Sequence, residues 1–139
     1  MENIVRLCQK IADKAHQGQF RKFGEVKGRG YIVHPERVAA CFPDDPTLAS
    51  IAWLHDVIED TGLTEKDLKD RGVLIDIVNS VKTLSKVESE NYLDFILRIK
   101  RHDLAIPVKI ADIRDNMRDL KEGSLKDKYR LALHILEEQ

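Results

Sequence analysis

Trp53-Leu54-His55-Asp56-Val57-Ile58-Glu59-Asp60-Thr61 sets four ionisable groups into six positions of an otherwise apolar helix. At helical spacing His55 and Glu59 share one stripe, and Asp56 and Asp60 share the next. Their neighbours Ile51, Ala52, Trp53, Leu54, Val57 and Ile58 are all apolar. Charged groups in such surroundings are tolerated when they are paired or hold a metal. A solvated acidic helix end before Gly62 accounts for Glu59 and Asp60 alone. It does not account for His55 and Asp56, which lie in the apolar part.

Outward from this stretch the chain reads as helices throughout. Residues 3–17 form an amphipathic helix, with Ile4, Leu7, Cys8, Ile11, Ala12 and Ala15 at i, i+3, i+4 spacing and Gly18 as its stop. A basic, glycine-rich loop runs from Gln19 to Gly30. Tyr31-Ile32-Val33-His34 leads into Pro35, read as the first position of a helix to about Phe42. Asp45-Pro46 repeats that start signal for the central helix of about 46–60.

Thr64 and Asp67 resemble a capping box for a short helix ended by Gly72. Helices over 73–84, about 90–101 (capped by Ser89), 104–121 (Pro107 in its first turn) and 124–138 (capped by Ser124 with Asp127) complete the chain. The expectation is an all-α bundle of about eight helices in one domain, residues 1–139.

Hydrophobic content of 42% with 34% charged residues describes a folded globular chain rather than a disordered one. No apolar run approaches the ~18 residues of a membrane span, and Met1-Glu2-Asn3 has no signal-peptide character. A cytoplasmic protein without membrane contact is expected, with Cys8 and Cys41 as buried free thiols among apolar neighbours. A net charge of −1 supplies no field to draw the chain to nucleic acid, so an anionic ligand needs local cations. Nothing marks a surface for homo-oligomer formation, although a small helical domain can pair through an apolar face.

Of five histidines, His102 and His134 read as surface or helix-end residues. His34, at a helix N-terminus and beside apolar Val33, is a candidate third ligand next to His55 and Asp56. Asp112 lies in mid-helix between Ile110, Ala111 and Ile113, with Asn116 one turn on along the same face. A lone aspartate there needs a partner, and a divalent cation supplies one. Two imidazoles and two carboxylates form a mixed N/O set suited to Mn²⁺, Fe²⁺, Zn²⁺ or a similar ion, and spacing alone selects none of them. Asp115 and Asp119 read as facing solvent. Lys109, Arg114 and Arg118 are candidate further phosphate contacts.

Four segments occur in a telling order: Ala15-His16-Gln17-Gly18-Gln19-Phe20-Arg21-Lys22, Tyr31-Ile32-Val33-His34-Pro35, His55-Asp56-Val57-Ile58-Glu59-Asp60-Thr61, and Ala111-Asp112 through Asn116-Met117. Together they resemble the HD-domain hydrolase half of the RelA/SpoT alarmone enzymes and the small stand-alone alarmone hydrolases related to it. Val81-Lys82-Thr83-Leu84-Ser85-Lys86 is similar to a later family segment.

The resemblance implies Mn²⁺ held by His34, His55, Asp56 and Asp112. It implies that Glu59 and Asp60 orient and deprotonate the attacking water. Asn116 would hold the nucleotide near the metal, with Arg21 and Lys22 against its base and phosphates. The implied reaction removes the 3′-pyrophosphate of ppGpp or pppGpp, giving GDP or GTP. The physics fits those roles: such a cation makes water acidic enough to attack phosphorus at neutral pH. A carboxylate one helical turn from a ligand can take a proton, a contribution of about 10²–10⁴ in rate.

Departures from the family pattern cluster around the nucleotide. Phe23 stands where a small polar residue is usual, the loop to Tyr31 is longer and more basic, Ile113 replaces an arginine, and Asp119 a threonine. Two alternatives follow: the same chemistry on another nucleotide or phosphorylated dinucleotide such as NADPH, or a non-catalytic alarmone-binding domain. The chain ends at Gln139, so the synthetase domain of the bifunctional enzymes is not expected.

Overall fold

The computed structural model describes residues 3–21 and 30–138. Within them lie nine helical segments: α1 (Ile4–Ala15), α2 (Val33–Ala39), α3 (Pro46–Leu54), α4 (Val57–Asp60), α5 (Glu65–Asp70), α6 (Ile75–Thr83), α7 (Tyr92–Ile99), α8 (Ala105–Arg118) and α9 (Ser124–Glu137). The all-α expectation holds, and the one β-type pairing among the described residues is an isolated bridge between Phe20 and Gly30. No helix of the described residues is long and apolar enough to cross a membrane.

The centre of the bundle is α3, packed against α1, α2, α6 and α8. Asp45 caps it by accepting from Leu48 N at 3.0 Å, and Pro46 occupies the first turn, where a missing N–H costs nothing. Every residue from Ala49 to Leu54 is buried, so α3 carries its C-terminal end into the core. Each large apolar side chain buried there, Ile51 and Leu54 among them, contributes about 1.5–3 kcal/mol.

The central helix expected over 46–60 is broken at His55-Asp56 into α3 and α4. The hydrogen bonds that end it lie within one turn. His55 Nδ1 donates to the Ala52 carbonyl at 2.7 Å and His55 N reaches the same oxygen at 3.4 Å, a three-residue closure that ends the α-pitch. The chain restarts one turn later, with Asp60 N on Asp56 O at 2.9 Å.

Other boundaries shift for similar reasons. α2 starts at Val33, so Pro35 sits in its first turn rather than at its first position. Asn91, not Ser89, caps α7 by accepting from Asp94 N at 2.8 Å. Ser124 is the first helical residue of α9 and makes no capping bond. The Thr64–Asp67 capping box is present, and Gly18 (φ +83°) and Gly72 (φ +92°) take the left-handed conformation that ends α1 and α5. Cys8 is buried, as expected, but Cys41, two residues beyond the end of α2, is exposed.

Candidate metal centre and nucleotide cleft

The break at His55, the first turn of α2 and the middle of α8 bring four side chains together. His34 Nε2 lies 3.2 Å from His55 Nε2 and 2.8 Å from Asp112 Oδ1. His55 Nε2 lies 3.3 Å from Asp112 Oδ1 and 2.9 Å from Asp56 Oδ2, and that oxygen is 3.7 Å from His34 Nε2. His34, His55 and Asp112 form a buried group compact enough to hold a metal ion, and Asp56 closes one side.

The second nitrogen of each imidazole decides what the first can do. His55 Nδ1 is committed to Ala52 O, and His34 Nδ1 to Asp115 Oδ2 at 2.7 Å. With both protons on Nδ1, two Nε2 lone pairs and two carboxylates face one point. That donor set is self-repelling unless a cation stands among it or the imidazoles take up protons. Donors bound at about 2.1 Å and right angles stand about 3 Å apart, which matches the spacings here. The residues fit a divalent cation.

Electrostatics shows the same demand. Burial depresses the pKa of His55, but Asp56 and Asp112 outweigh it and hold the imidazole well above its ordinary value. Burial likewise opposes the charge of His34, and Asp112 and Asp115 raise it. Burial pushes the Asp112 carboxyl up, yet Lys109 and His55 bring it well below the usual range. Lys109 Nζ donates to Asp112 Oδ2 at 2.9 Å while lying over the Phe95 ring, so one oxygen of Asp112 is left for the centre.

Tyr31 completes the shell. Its hydroxyl donates to Asp56 Oδ2 at 2.5 Å, and burial together with Asp56 raises its pKa. The sequence reading missed it as a site residue, although it stands one helical turn before His34. Asp115 and Asp119, read as solvated, are a correction: their side chains are 6% and 1% exposed. They continue the buried α8 stripe through Val108, Ala111 and Asp112, a periodicity that could have revealed them.

A cleft of roughly 510 Å³ adjoins the centre, lined by Gln19, Phe20, Arg21, Tyr31, Asp60, Asn116 and Tyr129. Asn116 Nδ2 donates to Asp112 Oδ1 at 3.2 Å and its Oδ1 accepts from Arg21 Nη2 at 3.3 Å. Asn116 thereby links the centre to the cleft. Arg21, expected against the nucleotide, is buried in the cleft wall under the face of Tyr31. Phe20 is 59% exposed at the mouth. Lys22 and the loop through Arg29 lie outside the described residues.

Glu59 and Asp60 stand on the exposed side of α4. Glu59 Oε1 accepts from Lys86 N at 3.2 Å. Desolvation, followed by the charge of Asp56, raises the pKa of both carboxyls. Gln19 Nε2 donates to Asp60 O, and Gln19 Oε1 accepts from buried His16 Nδ1 at 2.9 Å, tying the end of α1 to α4. His16 continues the Cys8–Ala12 stripe by one more turn, a signal for its burial available from spacing alone. Arg114 and Arg118 lie away from the cleft.

No family model matches the chain. It is 38% identical over 91% of its length to the guanosine-3′,5′-bis(diphosphate) 3′-pyrophosphohydrolase of Haemophilus influenzae, and 32% identical over 97% to a GTP pyrophosphokinase of Myxococcus xanthus. The bifunctional (p)ppGpp synthase/hydrolase SpoT of Escherichia coli K12 is 34% identical over 98% of the chain. The chain spans about a fifth of the length of these curated relatives, 20%, 19% and 21% respectively. Among solved structures, a metazoan ortholog of SpoT that hydrolyzes ppGpp superposes with a TM-score of 0.77 at 21% identity, covering 98% of this chain and 84% of that one, which establishes the shared fold. The chain belongs to the RelA/SpoT family, as the counterpart of about one fifth of its long members.

Proposed function

We propose that residues 1–139 act as one metal-dependent phosphohydrolase domain that removes the 3′-pyrophosphate from ppGpp or pppGpp, leaving GDP or GTP. The observation that carries this reading is the convergence of His34, His55, Asp56 and Asp112, with both Nδ1 atoms committed elsewhere, on the edge of a cleft walled by Arg21, Asn116 and Asp60. The long relatives named for this hydrolysis support the substrate class.

His34, His55, Asp56 and Asp112 would hold the cation, and Mn²⁺ is the ion we propose, since carboxylates and water suit it and imidazole is compatible. Bound there, the ion supplies Lewis acidity that makes water a usable nucleophile at neutral pH. Lys109 holds the outer oxygen of Asp112, and Tyr31 donates to the Asp56 oxygen that faces the imidazoles, so that both carboxylates keep one direction. Glu59, anchored through Oε1, takes the water proton on Oε2, an uptake that its partial desolvation favours. Asp60 orients that water from the cleft side.

Arg21 meets the phosphates and Phe20 offers a face to the base, with Asn116 fixing the guanidinium. Lys22 is proposed as a second cation for the phosphates. The deciding experiment is hydrolysis of ppGpp by the purified, Mn²⁺-loaded protein, with NADPH and ordinary nucleotides alongside and products identified. GDP and pyrophosphate from ppGpp are expected. Turnover of another ester alone would discard the alarmone, and binding of ppGpp without turnover would replace catalysis by sensing.

A further inference from the structure

A second cavity, of roughly 470 Å³, follows another face of α8 where it meets the end of α2. Phe42, Pro107 and Ile110 give it an apolar floor, and the guanidiniums of Arg37, Arg114 and Arg118 stand around it. Asp115 is the one carboxylate among its described lining residues, and both its oxygens are engaged, Oδ2 by His34 and Oδ1 by Arg37 Nε at 2.7 Å. The cavity therefore carries surplus positive charge. Arg114 is otherwise held by Glu137 in a solvent-exposed pair, a weak hold that an anion can displace. Arg37 Nη2 is buried without a hydrogen-bond partner among the described residues.

We infer that this groove is a second binding site, for a nucleotide, whose phosphates the three arginines take and whose flat base covers Phe42 and Pro107. Planar guanidinium donors match phosphate geometry, and the volume is that of a small-molecule site rather than a peptide channel. The site is wired inward through Arg37. Its Nε holds the carboxylate that orients His34, and its Nη1 lies 3.9 Å from Asp119 Oδ2, itself 3.7 Å from Arg21 Nη2 in the cleft. A phosphate drawing on Arg37 competes with Asp115 and Asp119 for one cation, and the change reaches His34 on one side and Arg21 on the other. The meaning of that coupling rests on the proposed hydrolysis; occupancy of the groove does not.

Cys41 lies in the groove and is exposed, whereas Cys8 is buried with its thiol pushed up to about 11, so alkylation by a maleimide reports on Cys41. With GDP as the probe, alkylation slows, and the GDP needed for protection rises about tenfold or more in an Arg114→Ala/Arg118→Ala double variant. Inorganic pyrophosphate, lacking the base, protects about tenfold less well than GDP. In protein labelled with ¹⁵N-histidine and free of metal, GDP moves the His34 imidazole signals, and the double variant at the same GDP concentration does not show that movement.

Unprotected Cys41, or protection unchanged in the double variant, overturns the site. Protection by an acidic peptide and not by GDP overturns it in favour of a protein partner. A His34 signal that stays still, or that still moves in the double variant, overturns the coupling. None of these readouts depends on ppGpp hydrolysis, so failure here is distinguishable from failure of the proposed activity.

Discussion

His34 Nδ1 donates to Asp115 Oδ2 at 2.7 Å, and this bond decides which imidazole nitrogen faces Asp112 and His55. Asp115→Asn retains the size of the side chain but removes the charge that favours a proton on Nδ1. Divalent-cation affinity should fall about 10–100-fold, the usual cost of losing such an outer partner. Mn²⁺ titration of wild type and variant, with helicity checked by circular dichroism, measures it. Equal affinities would remove Asp115 from the centre.

His55→Ala and Asp56→Ala each delete a donor that the remaining three cannot replace. Both should abolish tight Mn²⁺ binding and turnover of ppGpp together. A folded Asp56→Ala protein with full activity would sink the ligand assignment.

Glu59→Gln leaves the four donors untouched and removes the proton acceptor. Metal content by elemental analysis should match wild type while kcat falls about 10²–10⁴-fold. A preserved kcat would take Glu59 out of the mechanism, leaving Asp60 as the carboxylate to test.

The histidines set the pH dependence. Asp112 and its neighbours raise both His34 and His55 against the opposing effect of burial, so in cation-free protein their folded pKa values exceed the unfolded value of about 6.5. Their contribution to stability is fully present below that value and is lost as pH rises through the folded values. A cation needs the neutral imidazoles and releases their protons, so its stabilising effect strengthens over the same interval. The rise in Tm on adding Mn²⁺ should be larger at about pH 8 than at about pH 6. A rise of equal size at both would contradict protonated imidazoles at the centre.

The sequence by itself determined the helical class, most of the element starts and stops, and the candidate status of His34, His55, Asp56 and Asp112. Those follow from rules local to the chain: Asp45-Pro46, the Thr64–Asp67 box and Gly72 act within one turn of themselves, and apolar spacing tells which face of a helix is inward. The same spacing could have drawn in His16 and Asp115.

Tertiary structure decided the rest. A helical period says that a carboxylate faces inward but not which base it meets across the bundle. Asp115 and Asp119 therefore looked solvated until α2 was laid beside α8, bringing His34 and Arg37 to them, and the segment after α1 brought Arg21. The break at His55-Asp56 was hidden for the same reason. An apolar run favours a continuous helix, and only the folded environment of His34, Asp112 and the Ala52 carbonyl makes it favourable for His55 to spend its Nδ1 proton on its own backbone.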